Sequence, residues 1–337
     1  MHDRKRNPVI TALAAAFLTL GMLGMGSVPA KAGTTVWGAD YFPNVTLTNQ
    51  DGQPMRFYDD LIKDKVVAVN FIFTSCQDVC PLETARLREV QQILGDRLGK
   101  DIFFISISID PKRDSPAVLK AYAKQYQAGP GWMFLTGKME DITLLRTKLG
   151  LLDSDSDPSD LKGHAMSLII GNQSTGQWMK RSPYENAHML ATQLGSWLTS
   201  WKVPSKPGLD YANAPKVRNL SRGEDLFRTR CNACHVIGEE GGDAMAKLAI
   251  APDLMNVTRR RNQVWLARWL AEPDKVLAER DPQALALRAR YKDMVMPNLN
   301  LTQDETHALM SFIEEESQRM ERLRSKTETV ASMSCCH

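Results

Sequence analysis

Charge of one sign is in short supply in this chain: 42 Lys and Arg stand against 39 Asp and Glu, a formal net of +3. Part of that excess falls in the first residues, so composition gives no support to a polyanion-binding surface or a nucleic-acid partner. The run Arg259-Arg260-Arg261 reads instead as a solvated helix start or a docking patch. Long apolar runs are equally scarce. Beyond Val9 to Val28 no segment is long and apolar enough to cross a bilayer. There is no internal repeat and no low-complexity tract, so a repeat architecture is excluded. Cysteine is sparse, at six residues. No second Cys/His pair follows closely after the one near residue 231, which argues against a closed zinc site, since that needs two more ligands at a suitable distance.

What is present begins with Cys231-Asn232-Ala233-Cys234-His235. Two thiols and an imidazole at this spacing read as an attachment site for c-type haem. Each Cys forms a thioether to one porphyrin vinyl group, and His235 ligates the iron as proximal ligand. The preceding Gly223-Glu224-Asp225-Leu226-Phe227 resembles the start of the N-terminal helix of a class I cytochrome c. Downstream, Met294-Val295-Met296-Pro297 offers a distal ligand. Met296, directly before the proline, is the better candidate and Met294 the fallback; the competing reading is a pair of gap-filling core methionines in a chain with 16 of them. Thr302 followed by Glu305 fits a capping box that opens a helix running through Ile313. The whole resembles the Met-Pro loop and closing helix of class I cytochromes c. His/Met ligation raises the potential of the iron and closes it to exogenous ligands, which describes an electron carrier. Trp265 and Trp269, at i and i+4, are expected in the core of this all-α region.

The N-terminus fits the compartment in which such haem is attached. Arg4-Lys5-Arg6 precedes the apolar stretch, which ends in Pro29-Ala30-Lys31-Ala32. A basic start, an apolar middle and an A-x-A site make a secretory signal over residues 1–32. Lys5 splits the arginines, so twin-arginine export is unsupported. No Cys lies near the cleavage site to carry a lipid. The expected location is periplasmic, with membrane attachment only if the leader stays uncut.

Pro204 and Pro207 with Gly208 interrupt a helical pattern and mark a linker at 203–212. It separates a first domain at 33–202 from a haem domain at 213–325, and residues 326–337 form a tail. The first domain alternates strands and helices. Val66 to Phe73 (VVAVNFIF) is a continuous apolar, β-branched run, as in a strand buried on both faces. It leads into Cys76-Gln77-Asp78-Val79-Cys80-Pro81 and a helical pattern through Leu94. A strand from Ile102 to Ile109, helices from Ser115 to Tyr126 and Glu140 to Leu149, a strand from Ala165 to Ile170 and a helix from Tyr184 to Trp201 follow. This order indicates a thioredoxin-like α/β architecture.

Cys76 and Cys80 stand where a strand meets a helix N-terminus, a position that favours thiolate over thiol. Three intervening residues let the sulfurs grip a metal while still permitting a disulfide. Thiolates are soft and select Cu(I) among plausible metals. His164, in the loop before the Ala165–Ile170 strand, is the natural third ligand; a lone loop His is otherwise a solvated residue.

FIFTSCQDVCP, SIDPKRDSP from Ser108 to Pro116, the Trp132–Gly137 run and the His164 strand together resemble the Sco/SenC family over residues 37–200. That resemblance implies a thioredoxin-like copper protein with Cys76, Cys80 and His164 as copper ligands. It also implies a role in assembling the binuclear copper centre of cytochrome oxidase. Asp78 is expected to shape the loop rather than bind metal. The family usually has Asp directly before its His, where this chain has Gly163; Asp160 is a candidate substitute from the same loop.

A haem carries one electron and copper cycling takes one, whereas reducing a disulfide takes two. One covalent haem c beside one copper therefore reads as a copper-delivery protein with a built-in one-electron partner. Its expected clients are the copper subunit of an oxidase or another periplasmic copper or redox protein. The alternative is an enzyme, a thiol-disulfide oxidoreductase acting through Cys76 and Cys80 with the haem as conduit. Pure electron transfer leaves Cys76, Cys80 and His164 unexplained. Cys335-Cys336-His337 is a candidate second metal site, against a tail whose thiols are oxidised or crosslinked. His188 and His307 read as surface or packing residues.

Overall fold

The computed structural model describes residues 38–77, 79–152, 157–161, 167–199, 219–238, 250–291 and 294–334. The expected leader, Asp78, His164, the expected linker and Cys335-Cys336-His337 lie outside the described residues.

A seven-stranded mixed sheet in the order β2-β1-β5-β4-β3-β6-β7 organises the N-terminal half. At its centre β3 (Val66–Ile72) is buried at every position, as its unbroken β-branched run requires. It pairs in parallel with β4 (Ile102–Ser108), which pairs in parallel with β5 (Trp132–Thr136). On the other side β6 (Leu168–Asn172) and β7 (Gln177–Arg181) are antiparallel, and β1 (Thr46–Asn49) with β2 (Pro54–Arg56) completes the far edge. The expected strand ending at Ile170 runs on to Asn172, because its register on β3 continues to Val66↔Asn172. That register carries the chain into β6 from the end of the sheet where β3 runs out.

Helices cover both faces. α1 (Cys80–Leu94) starts on the second motif cysteine with Pro81 in its first turn, where a missing N–H costs nothing. α2 (Pro116–Gln125) is capped by the Ser115 hydroxyl, which accepts from Val118 N. α3 (Met139–Lys148) covers the opposite face. The expected helix from Tyr184 to Trp201 divides into α4 (Ala187–Thr192) and a wider helical turn, Gln193–Trp197.

The C-terminal half is helical. α5 (Arg222–Leu226) continues as a wider turn through Cys231. Then come α6 (Val257–Arg260), α7 (Gln263–Ala271), α8 (Pro273–Ala278), α9 (Pro282–Arg290) and the long α10 (Gln303–Ser334). The capping box at α10 is formed: Glu305 N donates to Thr302 Oγ1 at 3.2 Å and Thr302 N donates to Glu305 Oε2 at 3.0 Å. α5 crosses α10 at Gly223, where a Cβ would stand 2.0 Å from Ala308 O. The Phe227 and Phe312 rings pack beside the crossing, 5.6 Å apart.

The core on the α1 face of the sheet does not stop at the α/β half. Leu82, Tyr122 and Tyr126 belong to the same buried cluster as Ala233 and Ile250, with Cys234, Met294 and Leu299 packed against it.

Candidate functional site

Two clusters of sequence-predicted ligands face each other across this shared core. The first lies at the carboxyl end of β3, the end at which open α/β sheets carry their sites. Asp114, fully buried, fixes the loop there. Its carboxylate accepts Thr74 N at 3.0 Å, Thr74 Oγ1 at 2.5 Å and Ser108 Oγ at 2.6 Å, tying the exit of β3 to the exit of β4. Cys76 is half-buried and its amide donates to Phe73 O at 3.2 Å. Cys80 is fully buried at the start of α1.

The expected preference for thiolate does not hold at Cys80. Its hydrogen bond with Cys76, then burial, push its pKa up. Desolvation and a neighbouring sulfur outweigh the helix terminus there. Among the described residues no group of three His, Cys, Asp or Glu is placed to hold a metal ion; His164, the expected third ligand, lies outside them. Asp160 offsets part of the burial penalty on the Arg146 guanidinium; its expected role beside His164 falls outside the described residues.

The second cluster surrounds a cleft lined mostly by apolar side chains. Cys231, Cys234, His235, Met294 and Met296 all line it. His235 Nδ1 donates to Pro252 O at 2.8 Å. That bond fixes the tautomer and leaves Nε2 with its lone pair for a metal. Burial lowers the His235 pKa, favouring the neutral, ligating form. The two methionines differ in surroundings. Met296 packs against the cluster that contains Trp269 and lines both this cavity and a second pocket shared with His235 and Trp265. Met294 turns toward the α/β half, where Gln125 Nε2 donates to its sulfur at 3.8 Å.

The donor set fits a haem. Trp265 and Trp269 stack 5.6 Å apart in an apolar wall. The Trp265 indole N–H is buried without a hydrogen-bond partner, and Arg260, Arg261 and Arg290 line the same space. One orphaned donor and three cations are what the propionates of a haem would satisfy. The basic run thus divides: Arg259 pairs with Glu314 at 2.6 Å and Glu321 at 3.2 Å, while its two neighbours face the cavity. His188 and His307 are exposed, as expected.

The SCO1/SenC family model matches residues 37–197, and the cytochrome c model matches 220–317. A protein of Stutzerimonas stutzeri whose name records copper binding is 34% identical over 152 residues, 45% of this chain and 72% of that protein. The chain belongs to the SCO1/SenC family. A SCO2-like protein of Rickettsia felis is 34% identical over 139 residues, 40% of this chain and 65% of its own length. A crystal structure of a SCO1/SenC family lipoprotein from Bacillus anthracis is 30% identical, covers 47% of this chain and 95% of its own, and superposes with a TM-score of 0.40. The family part is a thioredoxin-like α/β domain, and the helical part that follows matches cytochrome c.

Three features of this SCO1/SenC chain were not legible in its sequence. Glu83, one turn beyond Cys80, is buried. It accepts Asn70 Nδ2 at 3.0 Å through one oxygen and leaves the other without a partner, and burial lifts its pKa to about 8. Arg86 is buried and reaches into the helical half: it donates to Thr229 O at 2.9 Å, Arg228 O at 3.4 Å and Asn232 Oδ1 at 3.4 Å. Pro81 and Leu82, the residues after Cys80, line the cavity that holds Cys231, Cys234 and His235. On sequence alone, all of these read as ordinary positions of an amphipathic helix.

Proposed function

We propose that this chain is an exported copper-handling protein that carries a covalent haem beside its copper site. In this reading it delivers copper toward the binuclear centre of a cytochrome oxidase. Cys76, Cys80 and His164 hold copper as cargo. Cys231, Cys234, His235 and Met296 are the residues that would hold the haem. The observation that carries this reading is the wall shared between the two clusters, since Pro81 and Leu82 directly follow one copper ligand and line the haem cavity. When bound, the haem supplies a one-electron couple, the number of electrons exchanged in cycling copper between Cu(II) and Cu(I). The chain's own residues hold the imidazole of His235 neutral, line the cavity mostly with apolar side chains and fix the Cys76–Cys80 loop through Asp114.

The test is to load the haem-containing protein with copper and compare wild type with His164→Ala and Met296→Ala. One copper per chain, with thiolate-to-Cu(II) bands lost in His164→Ala, is expected. A haem mass adduct retained in Met296→Ala, with newly gained carbon monoxide binding, is expected for the distal ligand. Equal, weak copper binding in wild type and His164→Ala would overturn the copper reading.

One observation favours a second reading. Glu83, protonated near neutral pH beside the cysteines, is a proton store suited to dithiol–disulfide exchange. Reduction of a partner disulfide by Cys76 and Cys80 in the His164→Ala protein would move that reading forward.

A further inference from the structure

The guanidinium of Arg86 belongs to the helix that starts on Cys80, yet it caps the last carbonyls of the turn that ends on Cys231. Such carbonyls carry partial negative charge and lack partners of their own, so a buried cation there is a strong anchor. Around it the contact is mixed: Arg86 also pairs with Glu89, while Leu82 and Tyr126 pack in one cluster with Ala233, and Cys234 and Met294 lie against that cluster. Gln125, at the end of α2, adds its contact to Met294. Tyr126 lies within electrostatic reach of both clusters. Burial raises its pKa first, then the Cys234 sulfur, and the Cys80 and Cys76 sulfurs add to the rise. The two clusters are therefore bridged by packed side chains, with a polar groove of Arg88, Glu89, Gln92 and Asn232 alongside.

We infer that copper occupancy at Cys76 and Cys80 and the oxidation state of the haem are thermodynamically linked through the first two turns of α1, with Arg86 as the positioning residue. The inference rests on the reading that copper and haem occupy these two clusters. Its sign follows from charge. Binding Cu(I) to the dithiol releases two thiol protons and leaves the thiolate–copper group with one net negative charge. Ferric haem carries one more positive charge than ferrous haem. Opposite charges across packed protein attract, so copper-loaded protein favours the ferric state and its haem potential falls. Linkage is reciprocal, so ferric haem holds Cu(I) more tightly and reduction of the haem by one electron loosens it. Reduction at the Cys231–Cys234 site would then favour release of copper from Cys76 and Cys80 to an acceptor.

The test is a spectroelectrochemical titration of the full haem protein at fixed pH, with and without Cu(I), alongside Cu(I) affinity measured by competition with a chromogenic chelator for the ferric and the ferrous forms. The expected result is a lower midpoint potential with copper bound, and an affinity ratio of about fivefold or more that matches the potential shift. Arg86→Lys keeps the charge but cannot span the same carbonyls; it is expected to keep one haem and one copper while shrinking both effects together. An unchanged or raised potential on copper loading would overturn the linkage. Full coupling in Arg86→Lys would overturn the role given to Arg86. Absence of stoichiometric copper, or of the haem mass adduct, would instead overturn the underlying reading, so the two failures are told apart.

Discussion

Glu83 sits on α1 with Asn70 donating to one oxygen of its buried carboxyl, and Asn70 in turn accepts Ser106 Oγ at 2.7 Å. Burial raises its pKa from 4.5 to about 8. Between those values the folded chain keeps a proton that the unfolded chain has lost, so stability falls as pH rises across that window and levels off above it. The slope reaches at most about 1.4 kcal/mol per pH unit. Glu83→Gln keeps the shape without the charge and is expected to flatten that slope. Melting temperatures of both proteins from pH 5 upward check this, and parallel curves would sink it. At this scale the ligand types were legible, because Cys and His at fixed spacings have few other uses. Glu83 was not, because nothing local distinguishes a buried helical glutamate from a solvated one.

The crossing of α5 and α10 depends on one absent side chain. With Ala308 O lying 2.0 Å from where a Gly223 Cβ would be, and Phe312 Cβ at 2.7 Å, even a methyl group forces the helices apart. Gly223→Ala is expected to cost about 1–3 kcal/mol, the range for overpacking, because backbone rather than a movable side chain is struck. Denaturant unfolding of the haem-loaded protein measures it; an unchanged midpoint would show that the helices separate freely. Most elements were readable at this scale. β3 announced itself by its apolar run, α2 by Ser115 and Pro116, and α10 by its capping box. The division of the helix expected from Tyr184 to Trp201 was not readable, because a wide turn has no composition of its own.

Across the whole molecule, the buried cluster that joins Leu82 and Tyr126 to Ala233 and Ile250 makes the two halves one packed body rather than beads on a tether. A protease site placed in the expected linker at 203–212 is therefore expected to give two fragments that still co-elute on gel filtration after cutting. Fragments that separate would mean the shared core is too weak to hold them. The sequence by itself determined which candidate ligands each half carries, since thiol and imidazole spacings are local, and it determined the α/β and all-α classes through apolar periodicity. Only the tertiary structure decided that the two chemistries share a wall. That depends on Arg86, Leu82 and Tyr126 meeting residues more than 100 positions away, and contacts between elements distant in sequence leave no periodic trace in either partner.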